Sequence, residues 1–192
     1  MQPLTADDLL PFDEYVARRA EFVEAHRRYC DQYRRVRVGP GAMFVFENRQ
    51  TLWFRIQEIL RVARMTEPEW IKRELGEINR LLPRRNHLQA SLVLAEGGPW
   101  RELTGDKIKL LIESAAVPTK LITCRPEDRA AGSAHWLEFE FPPAQRKAFA
   151  KLSRSARIEM EVGDYRHSSD DLTEDVRQSL IDDLSMSDHD AA

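Results

Sequence analysis

The densest polar chemistry in this chain lies between Glu47 and Arg61. Glu47-Asn48-Arg49 follows the apolar run Met43-Phe44-Val45-Phe46 and opens a stretch of helical periodicity. A carboxylate, an amide and a guanidinium therefore meet where a strand gives way to a helix. Asn48 can cap that helix, and the free amides of its first turn can hold an anion. Further on, Gln50, Gln57, Arg61 and Arg64 share one helical face, and Glu58 can pair with Arg55 or Arg61. Such a set suits an enzyme or small-ligand site lined by Glu47, Asn48, Arg49, Gln57, Glu58 and Arg61, with His135 supplied by a strand. Arginine would hold an anionic group, and a glutamate raised in pKa by burial would act as base. The same groups could instead form a polar face for a protein partner. A capped helix with internal ion pairs accounts for them without any ligand.

Other constellations are thinner. His26 and Cys30 stand four apart and share a helix face, but two ligands do not make a zinc site. Cys124 could be drawn into a nucleophilic pair with His87 or His135, yet nothing local supports it. No GxSxG, no GxGxxG after a strand and no GxxxxGK[ST] occurs. No metal or cofactor is expected. Arg27, Arg28, Arg34, Arg35 and Arg37, with Tyr29 and Tyr33 between them, could meet phosphates and stacked bases. The acidic sequence pI of about 6.0 argues against nucleic acid.

These residues need elements to position them. Apolar positions recur helically from Phe12 to about Arg35, and a Gly39-Pro40-Gly41 turn then divides two short β-prone runs, which read as a hairpin. Leu52, Trp53, Ile56, Ile59, Leu60 and Ala63 form one stripe of a helix over about Arg49 to Met65. Thr66 and Glu69 read as a capping box opening a helix to about Leu82, stopped by Pro83. Leu88 to Ala95, Lys107 to Glu113, Pro118 to Cys124, Ala134 to Phe141 and Ala156 to Val162 read as strands. Alternation is clearest in His135-Trp136-Leu137-Glu138-Phe139-Glu140-Phe141, which predicts an antiparallel sheet with one covered face. Pro99 to Thr104 reads as a short helix, Pro142-Pro143 opens another, and Leu172 to Leu184 forms a last one. The fold class is α+β: N-terminal helices (a long helix, a small hairpin, a helical hairpin) packed on a mainly antiparallel sheet of about five strands, with a C-terminal helix. Residues 1–184 are expected to form one domain and residues 185–192 a disordered acidic tail.

The 192 residues are 42% apolar and 32% charged, enough for a core with a heavily charged surface. Net charge is −3, but 11 acidic against 2 basic residues from Glu159 onward leave the rest of the chain at about +6. No apolar run approaches the roughly 20 residues a membrane span needs. The first residues carry no basic or apolar leader, and the two cysteines, Cys30 and Cys124, are far apart; both point to the cytoplasm and to reduced thiols.

Gly39-Pro40, Phe46-Glu47-Asn48-Arg49 and Gln57-Glu58-Ile59-Leu60-Arg61 resemble the signature of an uncharacterised bacterial family, domain of unknown function 3501. The resemblance runs on through Thr5 to Tyr15, Leu88 to Leu94, His135 to Phe141 and Asp164 to Leu184, which is most of the chain. It implies no activity. By gene neighbourhood it implies an association with rubrerythrin-like and iron–sulfur oxidoreductase proteins, and so an accessory or regulatory part in redox or peroxide defence.

Overall fold

The computed structural model describes residues 1–123 and 135–186. Five helices and nine strands follow in chain order among them. Helix α1 (Phe12–Tyr33) leads into the hairpin β1 (Arg35–Val38) and β2 (Ala42–Phe46), and α2 (Arg49–Ala63) and α3 (Pro68–Asn79) come next. Strands β3 (His87–Leu94), β4 (Ile108–Ile112), β5 (Ala115–Val117), β6 (Thr119–Thr123) and β7 (His135–Glu140) precede α4 (Pro143–Phe149). Strands β8 (Ala156–Val162) and β9 (Tyr165–Ser168) and helix α5 (Glu174–Met186) complete the order.

The α+β class holds, but the strands divide into two antiparallel sheets rather than one. The first has the order β1-β2-β3-β7-β6 and the second β5-β4-β8-β9. Two strands of the second sheet, β5 and β9, are three and four residues long and carry no long apolar alternation. Pairing with a neighbour, not their own pattern, makes them strands. The main core lies between the sheets. Phe44, Phe46, Leu88, Leu92, Leu137 and Phe139 meet Ile108, Leu110, Ile158, Met160 and Val162, and α5 adds Val176, Leu180 and Leu184. These are the alternate positions of each strand, as the period of two requires.

The opposite face of the five-stranded sheet mixes polar side chains with apolar ones. Gln89 and Ser91 of β3 and Trp136 and Glu138 of β7 stand on it, opposite in parity to Leu88, Ala90 and Leu137. Helices α2 and α3 pack together around a second core of Leu52, Ile56, Ile59, Leu60, Leu75 and Ile78, closed by Leu4 of the N-terminal segment. The stripe read from the sequence is therefore the seam between these two helices. Helix α3 starts one residue later than the capping box implies: Glu67 is its N-cap, with no side-chain cap bond, and Pro68 occupies the first turn. A proline there needs no N–H partner and sets φ for the helix, so it outweighs the Thr66 cap. The helix ends at Asn79, three residues short of Leu82. Helix α5 continues to Met186, two residues beyond the expected end, and residues 187–192 lie outside the described residues. No helix among the described residues is long and apolar enough to cross a membrane.

Candidate functional site

Asn48 is the N-cap of α2. Its Oδ1 accepts from the amides of Gln50 and Thr51, each at 3.1 Å. Its own amide donates to Thr51 Oγ1 at 2.9 Å. The first-turn donors are thus largely met from within, and Asn48 Nδ2 reaches Tyr29 Oη of α1 at 2.8 Å. Arg34 Nε donates to the same phenol at 3.1 Å, and Arg34 Nη1 pairs with Asp183 of α5. Arg34 and Asp183 are both buried, so this pair stands out of water.

Glu47 closes β2 and is 1% exposed. Thr51 Oγ1 donates to it at 2.6 Å, and so does Arg55 Nη2, also at 2.6 Å. Arg55 Nη2 further donates to Ser91 Oγ at 3.1 Å, and the Arg55 guanidinium lies 4.7 Å over the Trp136 ring. Arg55 therefore turns to Glu47 and the sheet, not to Glu58 as helical spacing allowed. Glu58 lies one turn on along the helix, whereas Glu47 is eight residues back, before the helix begins; the buried carboxylate, with no water to compete, takes the arginine.

Glu58 is met by the other arginines. Arg19 Nε and Nη2 donate to its two oxygens at 3.0 and 2.9 Å, and Arg61 Nε and Nη2 do the same at 3.0 Å each. Tyr15 Oη donates to Glu58 Oε1 at 2.9 Å. Partial burial alone would raise the pKa of this carboxyl. The donors from Arg19, Arg61 and Tyr15 outweigh it and hold it at about 2. The Glu58–Arg61 pair is the one helical spacing anticipated; Arg19 and Tyr15 come from a different helix and had no local signal. Arg49 pairs with Asp8 at 2.7 Å.

His135 does not join this set. At the start of β7 it shares strand parity with Leu137 and Phe139, whereas Trp136 faces Arg55. Gln57, 3% exposed, lies on the side of α2 turned toward Pro11 and Ile71, where Arg61 and Tyr15 also stand. The segment that looked like one face is thus parted among the sheet, the α1–α5 contact and the outer end of the helices.

His26 and Cys30 do meet: Sγ lies 3.4 Å from Nε2. Burial pushes the Cys30 thiol up to about 12, and burial pulls His26 down to about 4. Both groups are neutral near pH 7, the opposite of a thiolate–imidazolium pair. His26 stacks on Phe54 with centroids 4.0 Å apart, so it serves as an aromatic packing group. Cys124 lies outside the described residues. Among the described residues no group of three or more His, Cys, Asp or Glu side chains is placed to hold a metal ion. The arginine run is largely consumed: Arg27 pairs with Glu24 and Asp31, Arg28 with Glu24, Arg35 with Asp31 and Arg34 with Asp183.

A family model described as a protein of unknown function (DUF3501) matches residues 3–184. A solved structure, described as a novel protein of unknown function from Burkholderia pseudomallei K96243, is similar with a TM-score of 0.79 at 24% identity. The match covers 95% of this chain and 100% of that one, which shows a shared fold. No curated protein matches the chain.

Proposed function

Because the chain belongs to the DUF3501 family, whose function is unknown, we propose its role from geometry: a non-catalytic binding protein, working in the cytoplasm as an accessory or regulator. One observation carries the reading. Both glutamates of the Glu47–Arg61 segment are held in internal ion pairs, Glu47 by Thr51 and Arg55, Glu58 by Arg19, Arg61 and Tyr15. A general base needs a pKa near the working pH and a free lone pair toward substrate; Glu58, at about 2, is far from that. The binding role is supported by large apolar side chains left in water on the N-terminal helices: Phe12 and Val16 on α1, Val62 on α2 and Trp70 on α3, the last 53% exposed. A place in redox or peroxide defence beside a rubrerythrin-like or iron–sulfur partner rests on the family resemblance. The buried, protonated thiol of Cys30 would leave any redox chemistry to that partner.

Thermal unfolding of Glu47→Gln and Glu58→Gln tests the reading. A structural lock loses on the order of 2–4 kcal/mol when one buried partner loses its charge. A catalytic carboxylate, by contrast, is often neutral or stabilising to replace. Wild-type or higher stability in both variants would contradict the proposal.

A further inference from the structure

Between α4 and the end of α5 the surface forms a cleft of about 430 Å3. Its apolar base comes from Pro143 and Ala150, at the two ends of α4, and from Ile181 of α5; all three keep surface in water. Phe149 and Leu184, both buried, back it. Three cations rim this base: Arg85 from the loop before β3, and Arg146 and Lys147 of α4. No carboxylate lines the cleft among the described residues. Arg146 is fixed in place, Nη1 donating to Asn86 Oδ1 and Nη2 to the carbonyl of Leu184, each at 3.1 Å. Lys147 is exposed and makes no ion pair among the described residues. The other polar side chains of the wall are engaged within the chain: Asn86 Oδ1 accepts from Arg146, and Ser185 Oγ donates to the carbonyl of Ile181 at 2.8 Å.

We propose that this cleft docks an acidic segment of a partner protein, with one large apolar side chain seated on Ile181 and Ala150 and carboxylates on both sides of it facing Arg85, Arg146 and Lys147. The charge of the rim sets the sign of the partner. The apolar base sets its central residue, the kind of anchor that carries most of an interface's energy. A protein segment fits better than a free small molecule. Arg85, Lys147, Ala150 and Ser185 are all exposed, so the cleft is open, whereas small-molecule sites bury most of their ligand. A docked chain brings its own cover, and acidic motifs met by clustered cations are a recurring mode of recognition. The inference rests on the binding-protein reading and gives its partner a chemistry.

Fluorescence anisotropy of a labelled Asp-Glu-Leu-Glu-Asp peptide, titrated with the full chain, is the test. Saturable binding is expected at about 50 mM salt and should weaken at least fivefold by about 300 mM, as the rim charges are screened. The amide peptide Asn-Gln-Leu-Gln-Asn and the peptide Asp-Glu-Gly-Glu-Asp should each bind at least fivefold more weakly. Lys147→Glu should keep the wild-type unfolding temperature and lose at least tenfold in affinity, while Lys147→Arg should retain it. Arg85→Glu, on a loop, answers the same question if Lys147→Glu does not fold. Lys72→Glu makes the same charge change on an exposed residue of α3 and should leave binding unchanged. No saturable binding with up to about 1 mM protein, equal binding of the amide peptide, or equal losses in Lys147→Glu and Lys72→Glu would overturn the proposal. Octanoate bound more tightly than the acidic peptide would also overturn it, as the behaviour of a small-molecule site. None of those outcomes would alter the stability losses expected of Glu47→Gln and Glu58→Gln, so the two claims fail separately.

Discussion

Two guanidiniums and a phenol close on Glu58, and the pH dependence of the fold follows from such contacts. Its carboxyl sits at about 2 in the folded chain, below the ordinary value of 4.5, so its contribution is complete above about pH 4.5 and is lost as pH falls toward 2. His26 acts over a different window. Burial lowers it from 6.5 to about 4, so the unfolded chain takes up a proton that the folded chain refuses. Stability is full above about pH 6.5 and falls as pH drops toward 4, by about 1 kcal/mol at pH 5 after allowing for its partial exposure. His26→Phe should flatten the decline between pH 6.5 and 4 in urea titrations; an unchanged slope would contradict this. The residue scale is also where the sequence was least legible. The Asn48 cap and the Glu58–Arg61 pair follow from local spacing and are present. Arg19, Tyr15, Tyr29 and Asp183 reach the segment from other helices, and no spacing rule reports contacts 19 or 39 residues apart, such as Tyr29 to Asn48 and Arg19 to Glu58.

At the scale of elements, the turn Gly39-Pro40-Gly41 was readable as a hairpin, but its reason was not. Gly39 has φ of 59°, and a Cβ there would stand 2.5 Å from the His167 ring. Tyr165 Oη receives the amide of Gly41 at 3.0 Å and donates to the carbonyl of Val38. The glycine lets strand β9 of one sheet lie against the hairpin of the other. Gly39→Ala should therefore destabilise by about 2 kcal/mol, from backbone strain and steric overlap together. His167→Ala in the same chain should recover part of that loss, which a double-mutant cycle by chemical denaturation would measure. Long amphipathic helices and the alternating β7 and β8 were evident because burial imposes their period. The short strands β5 and β9 were not, because their partners, β4 and β8, define them.

For the molecule as a whole, α5 ties the layers together. Its Val176, Leu180 and Leu184 enter the core between the sheets, while Asp183 pairs with Arg34 at the end of α1. Arg177, also buried, donates to the carbonyls of Phe149 and Lys151 at 2.9 and 3.0 Å, satisfying the C-terminal end of α4. The helix expected over Leu172 to Leu184 thus carries two buried charges, Arg177 and Asp183, that its apolar spacing did not signal, while Glu174, Asp175, Gln178 and Asp182 stay exposed. Asp183→Ala leaves Arg34 buried without its carboxylate and should cost about 3–5 kcal/mol, with faster amide exchange through α5 and the end of α1. A loss under 1 kcal/mol would show that the pair is replaceable by water.

The central claim is that the charged residues around Glu47 to Arg61 hold the fold together and are not poised for proton transfer. Side-chain carboxyl NMR of the full chain, titrated from pH 8 to pH 2 with Glu58→Gln for assignment, tests it most directly. The Glu58 resonance should stay unperturbed down to about pH 3 and titrate near 2, or unfold with the chain before doing so. A Glu58 midpoint between about pH 5 and 7 in the folded protein, the range of a working general base, would contradict it.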